Sequence, residues 1–324
     1  MVGPLVEELF FAASLTIVFR MRGMIGSLVP FTISAGHLCV YLLGSYLPLH
    51  LLLIFLVTGP CAVFALFYLI VPKSPVWLMK WGQEDECKDL LCRLRGDQYL
   101  IEQEFQELQN LINIQSKDAV GWSAFKSKSF YYPLFLVCSI FLLYSLIGYI
   151  NLSDYSLLIF KYPDMNVSTY TISILFQLAL TISSIPAPIL MTKLGRRAQL
   201  ITGCLSVLIC LVLLGTYHLF YFSGLHPVFA YAPLVLLLLF GLSFGLLIAP
   251  IPYTLASELF PQHLKSHGST VGMSLHYIGA FLANKLFPVV KGRVGMAGVY
   301  MIHGTVALLL ALLTFFLLPE IVNH

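Results

Sequence analysis

A pair of closely spaced prolines is the first feature of this sequence that could shape a binding site. Pro250 and Pro252 follow an apolar run, residues 231–248, that contains no charged residue. Each proline removes a backbone donor, and its ring clashes with the preceding helical turn. At membrane depth such breaks persist where the freed carbonyls are buried in protein or face water. The pattern predicts either a broken helix beside a substrate pathway or a proline kink that only shapes packing.

Ionisable residues next to apolar runs are the second feature. Asp154 and His276 could take up and release protons, because ionisable groups at membrane depth are candidates for proton relays. We favour structural roles: Asp154 lies at the outer end of its apolar run, and His276 can form hydrogen bonds inside a helix bundle. The sequence has no Ser-His-Asp set, metal-ligand spacing or Gly-rich phosphate loop. We therefore expect no enzyme activity, no metal and no cofactor, and the seven scattered cysteines are expected to be ordinary thiols.

Long hydrophobic helices must position these residues. The chain of 324 residues is 59% hydrophobic and 10% charged, whereas a soluble domain has about 25% charged residues. A net charge of +3 is too small to suggest a nucleic-acid partner. The composition predicts an all-α polytopic protein in a lipid bilayer, with about eight full transmembrane helices and a partial one at residues 9–19. The predicted full spans are 28–47, 51–71, 131–150, 169–191, 198–220, 228–256, 269–290 and 299–318.

Residues 72–129 differ from the rest, because they hold most of the acidic residues of the chain. Apolar residues such as Leu90, Leu91, Phe105 and Leu108 recur there at helical spacing, which favours short amphipathic helices over a solvated linker.

The distribution of lysine and arginine predicts the orientation in the membrane. If the loop around Arg20 is cytosolic, fourteen of these residues lie in loops on that side and four lie on the other. Residues 72–129 and the C-terminus are then cytosolic. Asn166, in Asn166-Val167-Ser168, falls on the outer side as a candidate glycosylation acceptor.

Several short motifs occur in a fixed order along the chain. They are Arg22-Gly23, Pro72-Lys73-Ser74-Pro75, Gly195-Arg196-Arg197, Ser257-Glu258-Leu259-Phe260-Pro261 and Pro319-Glu320. In this order the sequence resembles the sugar-porter family of the major facilitator superfamily, and within it the facilitated trehalose transporters. The resemblance covers residues 14–320.

The resemblance implies a major-facilitator helical bundle of twelve spans in two six-helix halves. This chain is similar to the end of span 4 and to spans 5–12. Residues 1–71 would then be a remnant of the N-terminal half, 72–129 a cytosolic helical linker, and 130–324 the C-terminal six-helix half.

Three functional hypotheses follow. The first is a facilitative carrier of a sugar such as a hexose or trehalose, working by alternating access in the plasma membrane. Because most of one half is missing from the chain, the alternative is a non-transporting paralog that acts as a membrane sensor or binding protein. An unrelated multi-span receptor is the third, and the ordered motifs disfavour it. The sequence does not predict the oligomeric state.

The resemblance also implies a substrate site, although this chain departs from the family pattern. Tyr144 and Ser145 replace a Gln-Gln pair, Tyr253 replaces a tryptophan, and His276 replaces an asparagine. Tyrosine and histidine still donate and accept hydrogen bonds, but they differ from amides in reach and volume, so we expect a repacked sugar site. The candidate substrate-binding residues are Tyr144, Ser145, Asn151, Phe244, Tyr253 and His276.

A cytosolic gate is implied in the same way, with Arg22, Arg196, Arg197, Glu258 and Lys265 as its candidate residues. Two family acids are absent from it, since Thr192 and Lys73 stand in their places. An acid replaced by a base turns attraction towards neighbouring arginines into repulsion. The departures therefore predict a weakened latch in the inward-closed state.

Overall fold

The computed structural model describes residues 28–70, 73–95, 101–106, 108–110, 128–160, 167–220, 231–260 and 264–318. These residues form helices and connecting turns, with no strand among them. The predicted partial span 9–19 lies outside the described residues. The helices are α1 Leu28–Tyr46, α2 Leu49–Ile70, α3 Pro75–Lys80, α4 Glu84–Arg95, α5 Lys128–Leu146, α6 Tyr149–Asp154, α7 Ser156–Ile159, α8 Thr169–Ser184, α9 Ala187–Leu194, α10 Arg196–Phe220, α11 Ala232–Ser243, α12 Ile251–Glu258 and α13 Lys265–Leu317.

Within the described residues, each of the eight predicted full spans lies mainly on helix, which confirms the all-α membrane class. In the described part of the chain, five helical segments are long and apolar enough to cross a membrane, or six if α8 and α9, bent by 49°, form one span. The 53 residues of α13 would extend about 80 Å at 1.5 Å per residue, well beyond a hydrocarbon core of about 30 Å. Gly295, with a φ of 70°, interrupts α13, so this helix accounts for the last two predicted spans.

The chain divides into two compact units. The larger unit comprises Met1–Tyr46 and Lys128–His324, and the smaller unit comprises Leu47–Ser127. This division groups α2 with the short helices that follow it. The domain boundaries after residues 71 and 129 stay a prediction.

In the smaller unit, α3 and α4 form because their ends are stabilised. Ser74 caps α3, its hydroxyl oxygen accepting a hydrogen bond from the Trp77 N–H at 3.2 Å. The first turn of α4 carries three acidic residues, which complement the positive end of the helix dipole. The two helices share an apolar core with the helical residues 101–106, and its buried members are Leu78, Met79, Cys87, Leu90, Leu91, Ile101 and Phe105.

The two cysteines of this unit that follow α3 are expected to differ in reactivity. Cys87 is buried, and burial raises the pKa of its thiol, whereas Cys92 is exposed. Because the thiolate is the reactive form, N-ethylmaleimide at neutral pH should modify Cys92 and spare Cys87. Mass spectrometry of the native protein measures both sites. Equal modification of the two would contradict the buried position of Cys87.

In the larger unit, protein groups form hydrogen bonds with the backbone carbonyls near the proline break. A π-helical turn, Phe244–Ile248, precedes Pro250, and the Ala249 N–H donates to the Phe244 carbonyl at 2.9 Å. Since Pro250 has no N–H, the carbonyl of Leu246 lacks its usual helical donor. The buried Gln199 side chain of α10 supplies one, Nε2 donating to that carbonyl at 2.8 Å.

Replacing Gln199 with leucine should therefore destabilise the protein. The Leu246 carbonyl would lose its donor, and a buried unsatisfied acceptor costs about 1–3 kcal/mol. The substitution also removes Gln199 Oε1, a buried acceptor that has no partner among the described residues, and this recovers part of the cost. We therefore expect the free energy of unfolding to fall by about 1 kcal/mol net and the Tm by about 2–4 °C. Thermal unfolding in detergent measures the change, and an unaltered Tm would contradict this account of the break.

Candidate functional site

Five aromatic and imidazole rings meet in the larger unit where α5, α6, the π turn, α12 and α13 come together. We call them the central cluster: Tyr144, Tyr149, Phe244, Tyr253 and His276. The rings of Tyr149 and Phe244 stack with centroids 4.6 Å apart, and Tyr144 lies 5.4 Å from both Phe244 and His276. Tyr253 meets Tyr144 edge-on at 6.4 Å. The structure thus brings together four of the six residues predicted to bind substrate.

Ser145, the fifth predicted residue, joins the cluster through His276. Its hydroxyl oxygen lies 2.7 Å from His276 Nδ1, 2.8 Å from the Phe141 carbonyl and 3.0 Å from the His276 carbonyl. Ser145 is fully buried. These bonds join α5 to α13, so a ligand that bonded to the Ser145 hydroxyl would compete with them.

Asn151, the sixth predicted residue, is held elsewhere. Its Nδ2 lies 3.3 Å from His303 Nε2, and His303 Nδ1 lies 2.8 Å from the Leu146 carbonyl. Between Leu146 and Asn151 the helix breaks at Gly148, whose φ of 104° is left-handed. A Cβ at Gly148 would lie 2.8 Å from the His303 ring. The assignment of Asn151 to substrate binding stays a prediction.

A small cavity adjoins the central cluster. Its volume of about 20 Å³ suffices for about one water molecule, whereas pockets for small ligands usually measure about 300–1,000 Å³. A sugar could therefore enter only after neighbouring helices move. The cavity is lined by Pro30, Ile33, Ser34, Tyr144, Tyr149, Leu180, Ser184, Phe244, Gly245 and Ala249.

Two of the predicted gate residues form an ion pair. Arg196, at the start of α10, places Nη2 2.6 Å from Oε1 of Glu258, at the end of α12. Their side chains are 8% and 25% exposed. The pair thus ties together the ends of two helices that carry the family motifs.

The other predicted gate residues lie apart from this pair. Arg197 Nη2 donates to the Phe315 carbonyl at 2.6 Å, and its guanidinium lies 5.4 Å from the centre of the Phe315 ring. Lys265 is exposed at the start of α13, and Arg22 lies outside the described residues. In the smaller unit, Lys73 Nζ lies 4.7 Å from the Trp77 ring, a cation–π contact. The weakened latch stays a prediction.

Sequence reasoning missed Tyr149 and His303. Tyr149 directly follows Gly148, and this glycine beside aromatic residues was the sequence signal that could have indicated Tyr149. His303 lies on the far side of Gly295 in α13, and nothing in its sequence neighbourhood indicates a contact with residue 151.

Comparison with known proteins identifies similar chains. Residues 19–324 match the model of the family described as Sugar (and other) transporter. The chain is 26% identical over 311 residues to the facilitated trehalose transporter Tret1 of Bombyx mori, an alignment covering 94% of this chain and 61% of that protein. It is 25% identical over 268 residues to the arabinose-proton symporter of Bacillus subtilis, covering 82% and 55%. The chain thus spans 55–61% of the length of these relatives.

Solved structures give the same fold. The partially occluded inward-open conformation of the xylose transporter XylE from E. coli superposes with a TM-score of 0.74 at 19% identity, covering 94% of this chain and 65% of that one. XylE, a proton:xylose symporter, bound to 6-bromo-6-deoxy-D-glucose gives 0.72 at 20% identity, covering 93% and 65%. At this identity the likeness establishes the major-facilitator fold.

Proposed function

Because the chain belongs to the Sugar (and other) transporter family, we propose that it carries a sugar, such as a hexose or trehalose, by alternating access. The observation that carries this proposal is the family match over residues 19–324. The major-facilitator fold supports it, since carriers of this kind bind substrate near the membrane midplane. The central cluster is the proposed substrate site. The candidate gate pair Arg196–Glu258 would open and close the cytosolic side.

A facilitative mechanism accounts best for the acidic residues. In the described part of the larger unit the carboxylates are Asp154 and Glu258. Asp154 Oδ2 accepts a hydrogen bond from Asn284 Nδ2 at 2.6 Å, and Glu258 pairs with Arg196. Proton relays in transporters use ionisable residues inside the membrane, and both carboxylates here already have partners. We therefore propose uniport.

The mode of transport can be tested with the chain in proteoliposomes. Uptake of radiolabelled D-glucose and trehalose is measured with and without an imposed pH gradient. Uniport predicts saturable uptake of at least one sugar to its external concentration, unchanged by the gradient. Accumulation above that concentration, driven by the gradient and abolished by a protonophore, would contradict uniport.

A second candidate function is sugar binding without transport, as in a membrane sensor. One observation favours it: Ser145 and His276 bond to each other, so the α5–α13 contact must be broken before these groups can help move a substrate. A protein of this kind would bind a sugar in a saturable manner but give no uptake in the same vesicles. Measuring binding and uptake on one preparation separates the two functions.

The protein is an integral, multi-pass membrane protein, and we propose that it resides in the plasma membrane with residues 72–129 and the C-terminus in the cytosol. This topology places Asn166, which lies outside the described residues, on the outer side. In a glycosylating host, Asn166→Gln should remove one N-glycan, seen as a loss of the mobility shift produced by a glycosidase. In intact cells an impermeant maleimide should fail to label Cys92, and labelling there would contradict the topology.

A further inference from the structure

His303, in the second half of α13, contacts both sides of the helix break at Gly148. Its ring occupies the space that a side chain at residue 148 would need, since a Cβ added there would lie 2.8 Å from the ring. Nδ1 lies 2.8 Å from the carbonyl oxygen of Leu146, the last residue of α5. Nε2 lies 3.3 Å from Nδ2 of Asn151, in α6. One side chain thus touches the residue at the break and a residue on each flank of it.

These two partners determine which nitrogen of His303 carries the proton. A carbonyl oxygen can only accept, so the Nδ1–H donates to Leu146, and Nε2 accepts from the Asn151 amide. Both nitrogens of a neutral imidazole are then bonded. The Leu146 carbonyl needs this donor, because the last carbonyls of a helix have none within the helix. His303 is 8% exposed and Asn151 is 3% exposed, so both bonds are shielded from water.

Tyr149 lies between the two flanks that His303 contacts. The Tyr149 ring stacks on Phe244 with the centroids 4.6 Å apart and lies 6.2 Å from the Tyr144 ring. Its side chain also lines the cavity beside the central cluster. The turn at residue 148 therefore decides where one wall of the proposed substrate site stands.

The turn itself does not fix that position. The φ of 104° at Gly148 is open to glycine without steric cost, but glycine has many other conformations open to it. Contacts from outside the turn must therefore select this one. The bonds of Asp154 to Asn284 and of the Tyr155 hydroxyl to the Asn284 carbonyl act at the far end of α6. His303 acts at the turn.

We propose that His303 is a positioning residue for the sugar site: it selects the left-handed turn at Gly148 and so holds the Tyr149 ring against Phe244. This inference rests on the proposed function and adds a residue that acts through Tyr149 rather than on the sugar. Without His303 only a fraction of the molecules would have the ring in place, and the apparent affinity falls by that fraction. A ring that is ordered before binding also spares the ligand the cost of ordering it.

A double-mutant cycle in sugar affinity tests this assignment. His303→Leu, which removes both hydrogen bonds, is introduced into the wild-type chain, into Tyr149→Leu and into Tyr253→Leu. Tyr253 is the matched control, because it belongs to the central cluster but lies on α12, outside the α5–α6 turn. Titration calorimetry in lipid nanodiscs measures the binding of D-glucose and trehalose to each variant, and thermal unfolding checks that each is folded.

The expected result is a loss that depends on residue 149. His303→Leu should weaken sugar binding about tenfold in the wild-type chain and again about tenfold in Tyr253→Leu. In Tyr149→Leu the same change should cost less than about twofold, because no ring is left to position. Such non-additivity is the signature of two residues that act as one unit.

Two amide variants keep one hydrogen bond each and replace the leucine variant if it does not fold. The His303→Asn amide lies where Nδ1 does and can still donate to the Leu146 carbonyl, whereas the longer His303→Gln side chain can still accept from Asn151. The bond to Leu146 is the shorter of the two, at 2.8 Å against 3.3 Å, so His303→Asn should bind sugar within about threefold of the wild-type chain. Both amide variants binding as weakly as His303→Leu would contradict positioning by these hydrogen bonds.

The remaining outcomes are decisive as well. An equal loss of affinity in all three backgrounds would mean that His303 only supports the helix bundle, and would overturn the proposal. Unchanged affinity in His303→Leu would also overturn it. If the wild-type chain binds neither sugar, the proposed function fails together with this inference, whereas sugar binding that is insensitive to residue 303 removes the inference alone.

Discussion

Replacing Gly245 with alanine is expected to lower the free energy of unfolding by about 3 kcal/mol and to abolish ligand binding. Gly245 lies in the π turn and lines the cavity. A Cβ at this position would lie 2.7 Å from the Leu180 carbonyl oxygen and would also meet the Ser183 hydroxyl. Because the carbonyl belongs to the backbone of α8, the clash cannot be relieved by a side-chain rotation. The whole helix would have to move, and with it the cavity wall that carries Leu180 and Ser184.

Gly36→Ala is the matched control for this change. Gly36 lies in α1, and a Cβ added there would have no atom of the described residues within 4 Å. Alanine should therefore be neutral or slightly stabilising through its higher helix propensity. Thermal unfolding and sugar titration on both variants measure the difference. Each kcal/mol shifts the Tm by about 2–4 °C, so a Gly245→Ala variant that unfolded at the wild-type Tm would contradict the close packing of α8 against the π turn.

Replacing Arg196 with methionine is expected to cost about 2–3 kcal/mol. Removal of one partner from a buried ion pair leaves an uncompensated charge and costs about 3–5 kcal/mol. We lower this range because the Glu258 side chain is 25% exposed, and water can solvate part of the remaining charge. The same variant should shift the protein towards inward-open states, since the pair joins the start of α10 to the end of α12.

A double-mutant cycle isolates the pair. Arg196→Met combined with Glu258→Leu removes both charges and should recover most of the lost Tm, because replacing a buried pair by apolar residues is often close to neutral. Arg197→Met serves as the comparison, because the neighbouring Arg197 bonds to the Phe315 carbonyl and not to a carboxylate. Arg197→Met should lower the Tm less than Arg196→Met does. Additive effects of Arg196→Met and Glu258→Leu would contradict direct coupling between the two side chains.

Hydropathy predicted where the long apolar helices lie, because an apolar run of about 20 residues has few alternatives to a membrane helix. The central cluster was predicted in part, since the motifs anchor Tyr144, Tyr253 and His276 on three separate helices. Asn151 shows the limit of that procedure. It follows the left-handed Gly148, where the helical phase changes, and it faces His303 across 152 positions of sequence.

The unpartnered amide of Gln177 could not be predicted from the sequence at all. A glutamine in an apolar helix has the same local pattern whether it bonds to a neighbouring carbonyl or to nothing. Gln199 and Gln177 illustrate the two cases: one bonds to the Leu246 carbonyl, and the other has no partner among the described residues. Only tertiary packing distinguishes them.

Sugar counterflow in proteoliposomes tests the central claim most directly. Vesicles containing only this chain are loaded with a high concentration of unlabelled D-glucose or trehalose and diluted into a trace of the same labelled sugar. The account predicts a transient overshoot of internal label, which Gly245→Ala abolishes and Gly36→Ala retains. Label that enters only at the rate of protein-free vesicles, for every sugar tried, would contradict the claim that this chain is a sugar carrier.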